Sequence, residues 1–120
     1  MRAAPLAIAF AAVTVTVTAS AHHGFGRIDG TKNVTLEGTL TGVDFVNPHA
    51  YLYFDSTGAD GKPLKMRCEM RAATVLRRSG WSPEMFVPGK HVTVNGHPHR
   101  DDPSTCYIED LTIGDAPKIV

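Results

Sequence analysis

A long first strand is predicted by residues 34–45, VTLEGTLTGVDF, in which apolar and polar side chains alternate. The apolar positions are even-numbered as far as Leu40 and odd-numbered from Val43 to Phe45, so the alternation changes phase at Gly42. A glycine at such a change of phase indicates a β-bulge or a sharp bend. Small barrels use a long, strongly bent first strand that belongs to both halves of the sheet. The stretch therefore predicts the first strand of a small β-barrel.

Four more segments alternate with period two and predict the remaining strands. In chain order they are Ala50–Asp55, Leu64–Met70, Lys90–Gly96 and Thr105–Ile113. The last of them changes phase near Asp110. The apolar stripe of Arg71–Arg78, followed by Gly80, predicts one short helix between the third and fourth strands. We expect His97–Ser104 to form a polar loop.

This order of elements predicts an all-β fold with one short helix, a five-stranded OB-like Greek-key barrel. A generic α+β sandwich is the alternative. In the barrel topology the third and fifth strands lie side by side, and Cys68 and Cys106 both have inward parity on them. We therefore predict a Cys68–Cys106 disulfide, worth about 3–4 kcal/mol through its constraint on the unfolded chain. The alternative is two free thiols, one of them a soft metal ligand.

Residues 1–21 have the three parts of a signal peptide. Arg2 gives a charged start, residues 6–17 form an apolar run, and residues 19–21, Ala-Ser-Ala, form a small-residue cleavage site. The alternative is a membrane anchor, but the apolar run is shorter than the ~20 residues that a bilayer requires. We therefore expect a cleaved leader and a periplasmic or secreted protein, in which a disulfide is stable.

We expect cleavage after Ala21, which leaves no membrane span. The mature chain then consists of an amino-terminal arm (22–33), the OB-like barrel domain (34–113) and a tail (114–120). The full sequence has 12 basic and 12 acidic side chains. This neutrality argues against a nucleic-acid partner, for which a basic stripe is the expected footprint, and against attachment to an anionic membrane surface.

Several short motifs occur in a fixed order along the chain. They are Ala21-His22-His23-Gly24-Phe25, Val34–Gly38, Asn47-Pro48-His49, Gly80-Trp81 and Pro88-Gly89. In this order and spacing they resemble an uncharacterised family of small exported bacterial proteins, a domain of unknown function, whose mature chains begin with Ala-His-His-Ser-Phe or a close variant. The resemblance implies a periplasmic OB-like barrel and implies no activity. This chain departs from the pattern at Gly24, where the family usually has serine, and at its His97-Pro98-His99 sequence.

The mature amino terminus is the first candidate site. After cleavage following Ala21, the amine and imidazole of His22 can chelate one metal ion. A second imidazole, from His23 or His49, would complete an arrangement like the histidine brace of copper oxygenases and copper carriers. Nitrogen ligands in a planar array suit Cu(II). If cleavage falls after Ala19 instead, the mature chain begins Ser20-Ala21-His22, and its free amine and third-position histidine also chelate Cu(II) or Ni(II) through deprotonated backbone amides. We therefore predict a copper or other transition-metal site; the alternatives are an ordinary polar terminus and a histidine that bonds its own turn.

The outer face of the second strand is the other candidate site. Tyr51 and Tyr53 share this face, and with Arg67 and Glu69 of the next strand they would line a ligand groove. The alternative is that they are solvent-facing residues with high β propensity. In OB-folds the loops between strands 1 and 2 and between strands 4 and 5 flank the binding face. Here the first of these loops carries His49 and the second carries His97 and His99, for which the alternative is that they are solvated loop residues.

These features favour a small periplasmic binding or accessory domain over an enzyme, with the metal held by the histidines of the mature amino terminus. A second hypothesis is a non-metal OB-type module that recognises an exported protein or a saccharide through the Tyr51/Tyr53 face. A third is a copper-dependent redox enzyme that uses the same histidines. The sequence contains no nucleophile elbow and no glycine-rich phosphate loop. The metal hypotheses require a free amino terminus, whereas the interaction hypothesis does not.

Overall fold

The structure is a computed structural model, and it describes residues 24–118. Five strands form a closed barrel. They are β1 (Val34–Asp44), β2 (Tyr51–Thr57), β3 (Pro63–Glu69), β4 (His91–Pro98) and β5 (Thr105–Ile113). A short helix, α1 (Ala73–Arg78), lies between β3 and β4, and 3-10 turns occupy Gly24–Arg27 and Pro83–Met85. No helix in this part of the chain is long and apolar enough to cross a membrane.

The strand order around the barrel is β1-β2-β3-β5-β4, and β4 closes the barrel by pairing with β1. All neighbouring strands are antiparallel except β3 and β5, which are parallel. This connectivity, with the helix between the third and fourth strands, is that of an OB-like barrel. The predicted all-β fold is therefore confirmed, and a generic α+β sandwich is excluded.

A bulge bends β1 at the predicted place. Leu40 pairs with Phe54 and Gly42 pairs with Tyr53, so Thr41 is an extra residue on this strand. The first half of β1 pairs with β4 and the second half with β2. Because a bulge increases local bending and twist, one strand can serve both neighbours and close the barrel.

A second bulge lies on β5. Asn95 pairs with Asp110 and Gly96 pairs with Ile108, so Glu109 is the extra residue. The predicted change of phase near Asp110 is confirmed. Between the buried Ile108 and the next buried residue, two consecutive side chains, those of Glu109 and Asp110, face outward. The bulge thus turns an additional carboxylate towards the surface.

The barrel interior is apolar and tightly filled. Its most completely buried large side chains are Phe54, Leu40, Leu52, Leu111, Val92 and Val94. The same interior contains the predicted disulfide, because the parallel register of β3 and β5 sets Cys68 beside Cys106 with their Cα atoms 4.6 Å apart. The disulfide is confirmed, and the alternative of two free thiols is excluded.

The prediction of a polar loop over His97–Ser104 is wrong at its start. Strand β4 continues through Pro98, and His99 then forms an isolated β-bridge with Ile28. The reason is tertiary, because β5 pairs with His97 and Pro98 on one side and residues of the amino-terminal arm bond Pro98 and His99 on the other. The Asp29 amide donates to the Pro98 carbonyl oxygen at 2.9 Å.

The described part of the arm, residues 24–33, is packed against the barrel. The Ile28 side chain is 8 % exposed, which makes it part of the buried apolar surface. Arg27 accepts a backbone hydrogen bond from the Arg100 amide at 2.8 Å, and its guanidinium pairs with Asp101 at 3.1 Å. The arm therefore continues the barrel along the end of β4.

Candidate functional site

Outward side chains of neighbouring strands form a continuous surface on one side of the barrel. Tyr51 on β2 lies opposite Glu69 on β3, and Glu69 lies beside Tyr107 on β5. One step along the strands, Tyr53 lies opposite Arg67. We call these five residues the tyrosine face. Its three tyrosines are half-buried, because the inward neighbours of each strand fill the core while the outward side chains lean on one another.

A network of short contacts organises the tyrosine face. The Arg67 guanidinium carbon lies 3.6 Å from the centroid of the Tyr51 ring, within cation–π range. The Arg67 Nε donates to the Tyr53 hydroxyl oxygen at 3.2 Å, and this hydroxyl donates to Asp44 Oδ2 at 2.6 Å. The hydrogen bond with Tyr53 is the main cause that raises the pKa of Arg67 above its ordinary value. The guanidinium is therefore held over the Tyr51 ring and stays charged.

Arg67 differs from the other charged residues on the outer face of β3. Lys65 forms an ion pair with Asp55 at 3.6 Å, and Glu69 Oε1 lies 3.0 Å from His49 Nδ1. Among the residues that the structure describes, no carboxylate forms an ion pair with Arg67. Its polar contacts are with tyrosine hydroxyls, so the centre of the face presents a positive charge.

Two loops border this surface at points only two residues apart on β3. His49, in the β1–β2 loop, pairs with Glu69. The carbonyl oxygen of Ser104, in the β4–β5 loop (residues 99–104), accepts from the Arg67 amide at 2.9 Å. The structure thus places the same two loops beside the face that flank the binding surface of OB-folds.

His49 is held by a side chain of the tyrosine face. Its Nδ1 lies 3.0 Å from Glu69 Oε1, and its side chain is 46 % exposed. This contact joins the imidazole to β3 and not to the backbone of its own turn. Asn47 ties the turn to α1, because its Oδ1 accepts from the Thr74 amide at 3.1 Å. The Asn47–Pro48 peptide bond is cis.

The other predicted metal ligands, His22 and His23, lie outside the described residues. Within residues 24–118, no three side chains of His, Cys, Asp or Glu come together as a group that could hold a metal ion. Of the three predicted metal ligands, the structure describes only His49. Its imidazole contacts one carboxylate, that of Glu69.

The histidines near the end of β4 have structural partners. His99 Nδ1 accepts from the amides of Asp101 and Asp102 at 3.1 and 2.9 Å, which shapes the β4–β5 loop. His97 Nδ1 lies 2.8 Å from the Lys32 carbonyl oxygen, and its Nε2 lies 3.0 Å from Glu109 Oε1. These imidazoles hold backbone and arm in place, so neither behaves as a solvated loop residue.

Asp29 anchors the arm beside this histidine. Its Oδ1 accepts from the Thr31 hydroxyl at 2.6 Å and from the Thr31 amide at 3.1 Å. These two hydrogen bonds, the hydroxyl first, lower the pKa of Asp29 below its ordinary value. Lys32 and Arg100 lie 3.8 and 3.7 Å from its other oxygen. The sequence signal for this anchor is Asp29-Gly30-Thr31, a turn-forming motif in which the side chain bonds its own backbone two residues on.

An apolar groove lies on another part of the barrel, between the segment that follows α1 and the tail. Its volume is about 470 Å³, and its wall includes Trp81, Met85, Val87 and Ile113. Met85 and Val87 are 45 % and 43 % exposed. Sequence reasoning assigned no function to this region, and the groove shares no residue with the tyrosine face.

Comparisons with known proteins identify a family and a structural neighbour. A family of unknown function, DUF6152, matches residues 11–107. No curated protein matches the chain. Among solved structures, this chain is similar to the N-terminal domain of PriB from Thermoanaerobacter tencongensis, which is described as dimeric. The sequence identity is 15 % and the TM-score is 0.47, and the match covers 72 % of this chain and 98 % of that chain. Because the family match spans most of the sequence, the chain belongs to DUF6152, a family of unknown function.

Proposed function

We propose that this protein is an exported binding module that recognises a protein partner through the tyrosine face. The observation that carries the proposal is the unpaired, flat guanidinium of Arg67, stacked on Tyr51 and fixed by Tyr53. Such a cation costs little further conformational entropy when a ligand binds, because its geometry is already set. The half-buried tyrosines around it provide apolar contact area with few rotatable bonds.

The partner carries a carboxylate that contacts Arg67. A guanidinium matches a carboxylate through two parallel N–H donors, and the Nε edge of this one is already used by Tyr53. The partner's carboxylate therefore accepts hydrogen bonds from the Nη atoms of Arg67. Glu69 and Asp44, which flank the cation, would repel a second carboxylate, so the acidic group must arrive at one defined point.

A protein partner fits the composition of the face better than a saccharide does. Tyrosine and arginine are the residue types over-represented among the energetic hot spots of protein–protein interfaces. The exported location is part of the proposal, and the Cys68–Cys106 disulfide is compatible with it. The module acts by holding its partner, and no chemical step is assigned to the tyrosine face.

The proposal is tested by site-specific photo-crosslinking in a bacterial host that exports the protein. A benzophenone side chain replaces the outward Thr105 of β5, which lies beside Arg67, in one variant and the outward Thr39 of β1 in the matched control. We expect a protein adduct from position 105 and none from position 39, identified by mass spectrometry. Adding Arg67→Ala to the first variant should abolish the adduct.

Two results would overturn this function. Equal adducts from positions 105 and 39 would mean nonspecific capture, and no protein adduct at position 105 would mean that the face has no protein partner. An adduct with glycan instead of protein would show that the tyrosine face binds a saccharide. If the protein adduct persists after Arg67→Ala, the face binds a partner but the Arg67 cation is not what holds it.

A second candidate function, copper binding at the mature amino terminus, is favoured by the His49–Glu69 contact. Metal-binding histidines commonly give their other ring nitrogen to a carboxylate, which fixes the ring and raises its basicity. Here Nδ1 faces Glu69 at 3.0 Å, so Nε2 is the nitrogen that a metal would take. The remaining ligands would be His22, with its free amine, and His23.

Copper binding is tested on untagged protein processed by the exporting host, with the terminus confirmed by intact mass. We expect one Cu(II) per chain by calorimetry and spin resonance, and weaker binding in both His22→Ala and His49→Ala. Loss of binding with His22→Ala alone would indicate a chelate confined to the terminus. No binding tighter than about 1 mM would refute the copper site.

A further inference from the structure

The imidazole of His97 connects the amino-terminal arm to the barrel. Its Nδ1 lies 2.8 Å from the carbonyl oxygen of Lys32 in the arm, and its Nε2 lies 3.0 Å from Glu109 Oε1 on β5. A backbone carbonyl and a carboxylate are both acceptors. Both contacts are hydrogen bonds only when both ring nitrogens carry a proton, that is, when His97 is an imidazolium.

The surroundings of His97 favour the protonated, cationic form of its imidazole. Its side chain is 19 % exposed, so these contacts are only partly screened by water. From the arm it faces Asp29 and Lys32, and from β5 it faces Glu109 and its register partner Tyr107. Arg100 of the β4–β5 loop is turned towards Asp29. The nearby carboxylates of Glu109 and Asp29 favour its charged form.

The β5 bulge creates one half of this arrangement. Because Glu109 is the extra residue opposite the Asn95–Gly96 step, its side chain leaves the regular alternation and turns outward to the adjacent strand. Bulges often re-aim a side chain in this way. His97 of β4 therefore contacts two other segments: the arm, through the Lys32 carbonyl oxygen, and the bulge of β5, through the Glu109 carboxylate.

We propose that protonation of His97 latches the amino-terminal arm onto the barrel, and that loss of this proton releases the arm. In the latched state the imidazolium donates to Lys32 and to Glu109. After deprotonation one ring nitrogen becomes an acceptor that faces another acceptor, so one of the two contacts turns repulsive.

The direction of the pH effect follows from the pKa of His97. The hydrogen bond to the Lys32 carbonyl, followed by the bond and the charge of Glu109, raises this pKa above the ordinary histidine value, and burial opposes the rise. The latch is therefore complete below about pH 6.5, the pKa of a free histidine, and is lost as the pH rises through the higher folded-state pKa. Asp29 stays ionised in this range, because its own pKa is lowered.

This latch does not depend on the proposed binding function. His97 continues the cross-strand row of the tyrosine face through its pairing with Tyr107, so the latched arm borders that face. If the face binds a partner, release of the arm would alter one side of the binding surface, and that consequence alone rests on the proposed function.

The test is amide hydrogen exchange followed by NMR between pH 5 and 8.5, expressed as protection factors that remove the intrinsic pH dependence. The reporting amides are those of Asp29 and Arg100, which bond across the junction between arm and barrel. We expect their protection to fall about fivefold over this range, equivalent to about 1 kcal/mol, the usual net worth of one hydrogen bond. The core amides of β4 should not change.

Three variants separate the latch from a merely structural histidine. His97→Gln should remove the pH dependence and leave protection low throughout. Glu109→Gln keeps the ring and should move the transition to lower pH, which also tests the proposal if the first variant folds poorly. His91→Gln is the matched control, because His91 lies on the same strand, is exposed, and its imidazole lies 3.6 Å from Glu37 of β1 and not beside the arm.

Flat protection of Asp29 and Arg100 in the natural protein would overturn the latch. Unchanged pH dependence in both His97→Gln and Glu109→Gln would do the same. Because none of these measurements involves a partner, a failed latch and a failed binding face give different results.

Discussion

The two faces of strand β3 are built by different interactions. Met66 and Cys68 on the inner face are 3 % and 0 % exposed and belong to the apolar interior. Arg67 and Glu69 on the outer face are held by contacts with outward side chains, Arg67 by Tyr51 and Tyr53 and Glu69 by His49. Burial stabilises the inner face, and each buried side chain is worth a few kcal/mol. Contacts on the outer face exchange with water and contribute less, so this face is free to serve binding.

The largest expected effect is removal of the inner-face disulfide. Replacing Cys68 and Cys106 together by alanine frees a loop of 38 residues, and the chain-entropy estimate for such a loop is about 4 kcal/mol. Urea unfolding should show this loss. Adding reductant should destabilise the natural protein and leave the double variant unchanged; a loss below about 1 kcal/mol would show that the barrel does not depend on this bond.

A smaller loss is expected where two strands approach most closely. A Cβ atom added at Gly96 would overlap the backbone carbonyl oxygen of Tyr107, which no side-chain rotation can relieve. Gly96→Ala should therefore lower the free energy of unfolding by about 1–3 kcal/mol. Gly42→Ala is the matched control, because nothing lies within 4 Å of its added Cβ. Equal effects of the two changes would contradict the close approach.

The outer-face network should matter less for stability. Tyr53→Phe removes the hydroxyl that joins Arg67 to Asp44 and should cost no more than about 1 kcal/mol, because these groups can bond water instead. The same variant should free the Arg67 Nε–H, which NMR detects as faster exchange of that proton. A stability loss above about 2 kcal/mol would place this network among the main supports of the barrel.

The smallest expected effect is the pH dependence of global stability at His97. Since its pKa is raised in the folded state, the free energy of unfolding should decline as the pH rises above about 6.5. Urea unfolding of His97→Gln should show a weaker decline over the same range. An increase in stability across that interval, attributable to His97, would reverse the sign that the structure assigns to this group.

Most of the fold could be predicted because the inner face repeats with period two. The alternation of β3, the phase changes at Gly42 and near Asp110, and the inward parity of both cysteines all follow from which side chains avoid water. Each of these features was confirmed. They depend on local pattern, which a single sequence displays directly.

The end of β4 and the arm could not be predicted in this way. His97-Pro98-His99 is polar enough to suggest a loop, and no local pattern reveals that Lys32 and Ile28 supply its partners from more than 60 residues away. The Ile28 side chain, apolar among polar neighbours, was the available signal. The contact of His49 with Glu69 was equally hidden, since it joins a loop to the end of another strand.

The sequence by itself determined the barrel, its helix position and its disulfide, because apolar periodicity states which face of each strand is buried. Only the tertiary structure decided which outward side chains meet. Arg67 over Tyr51, and His97 between Lys32 and Glu109, depend on strand order, register and one bulge. Contacts between outward polar groups produce no periodic pattern in the sequence. Both proposals depend on contacts of this kind.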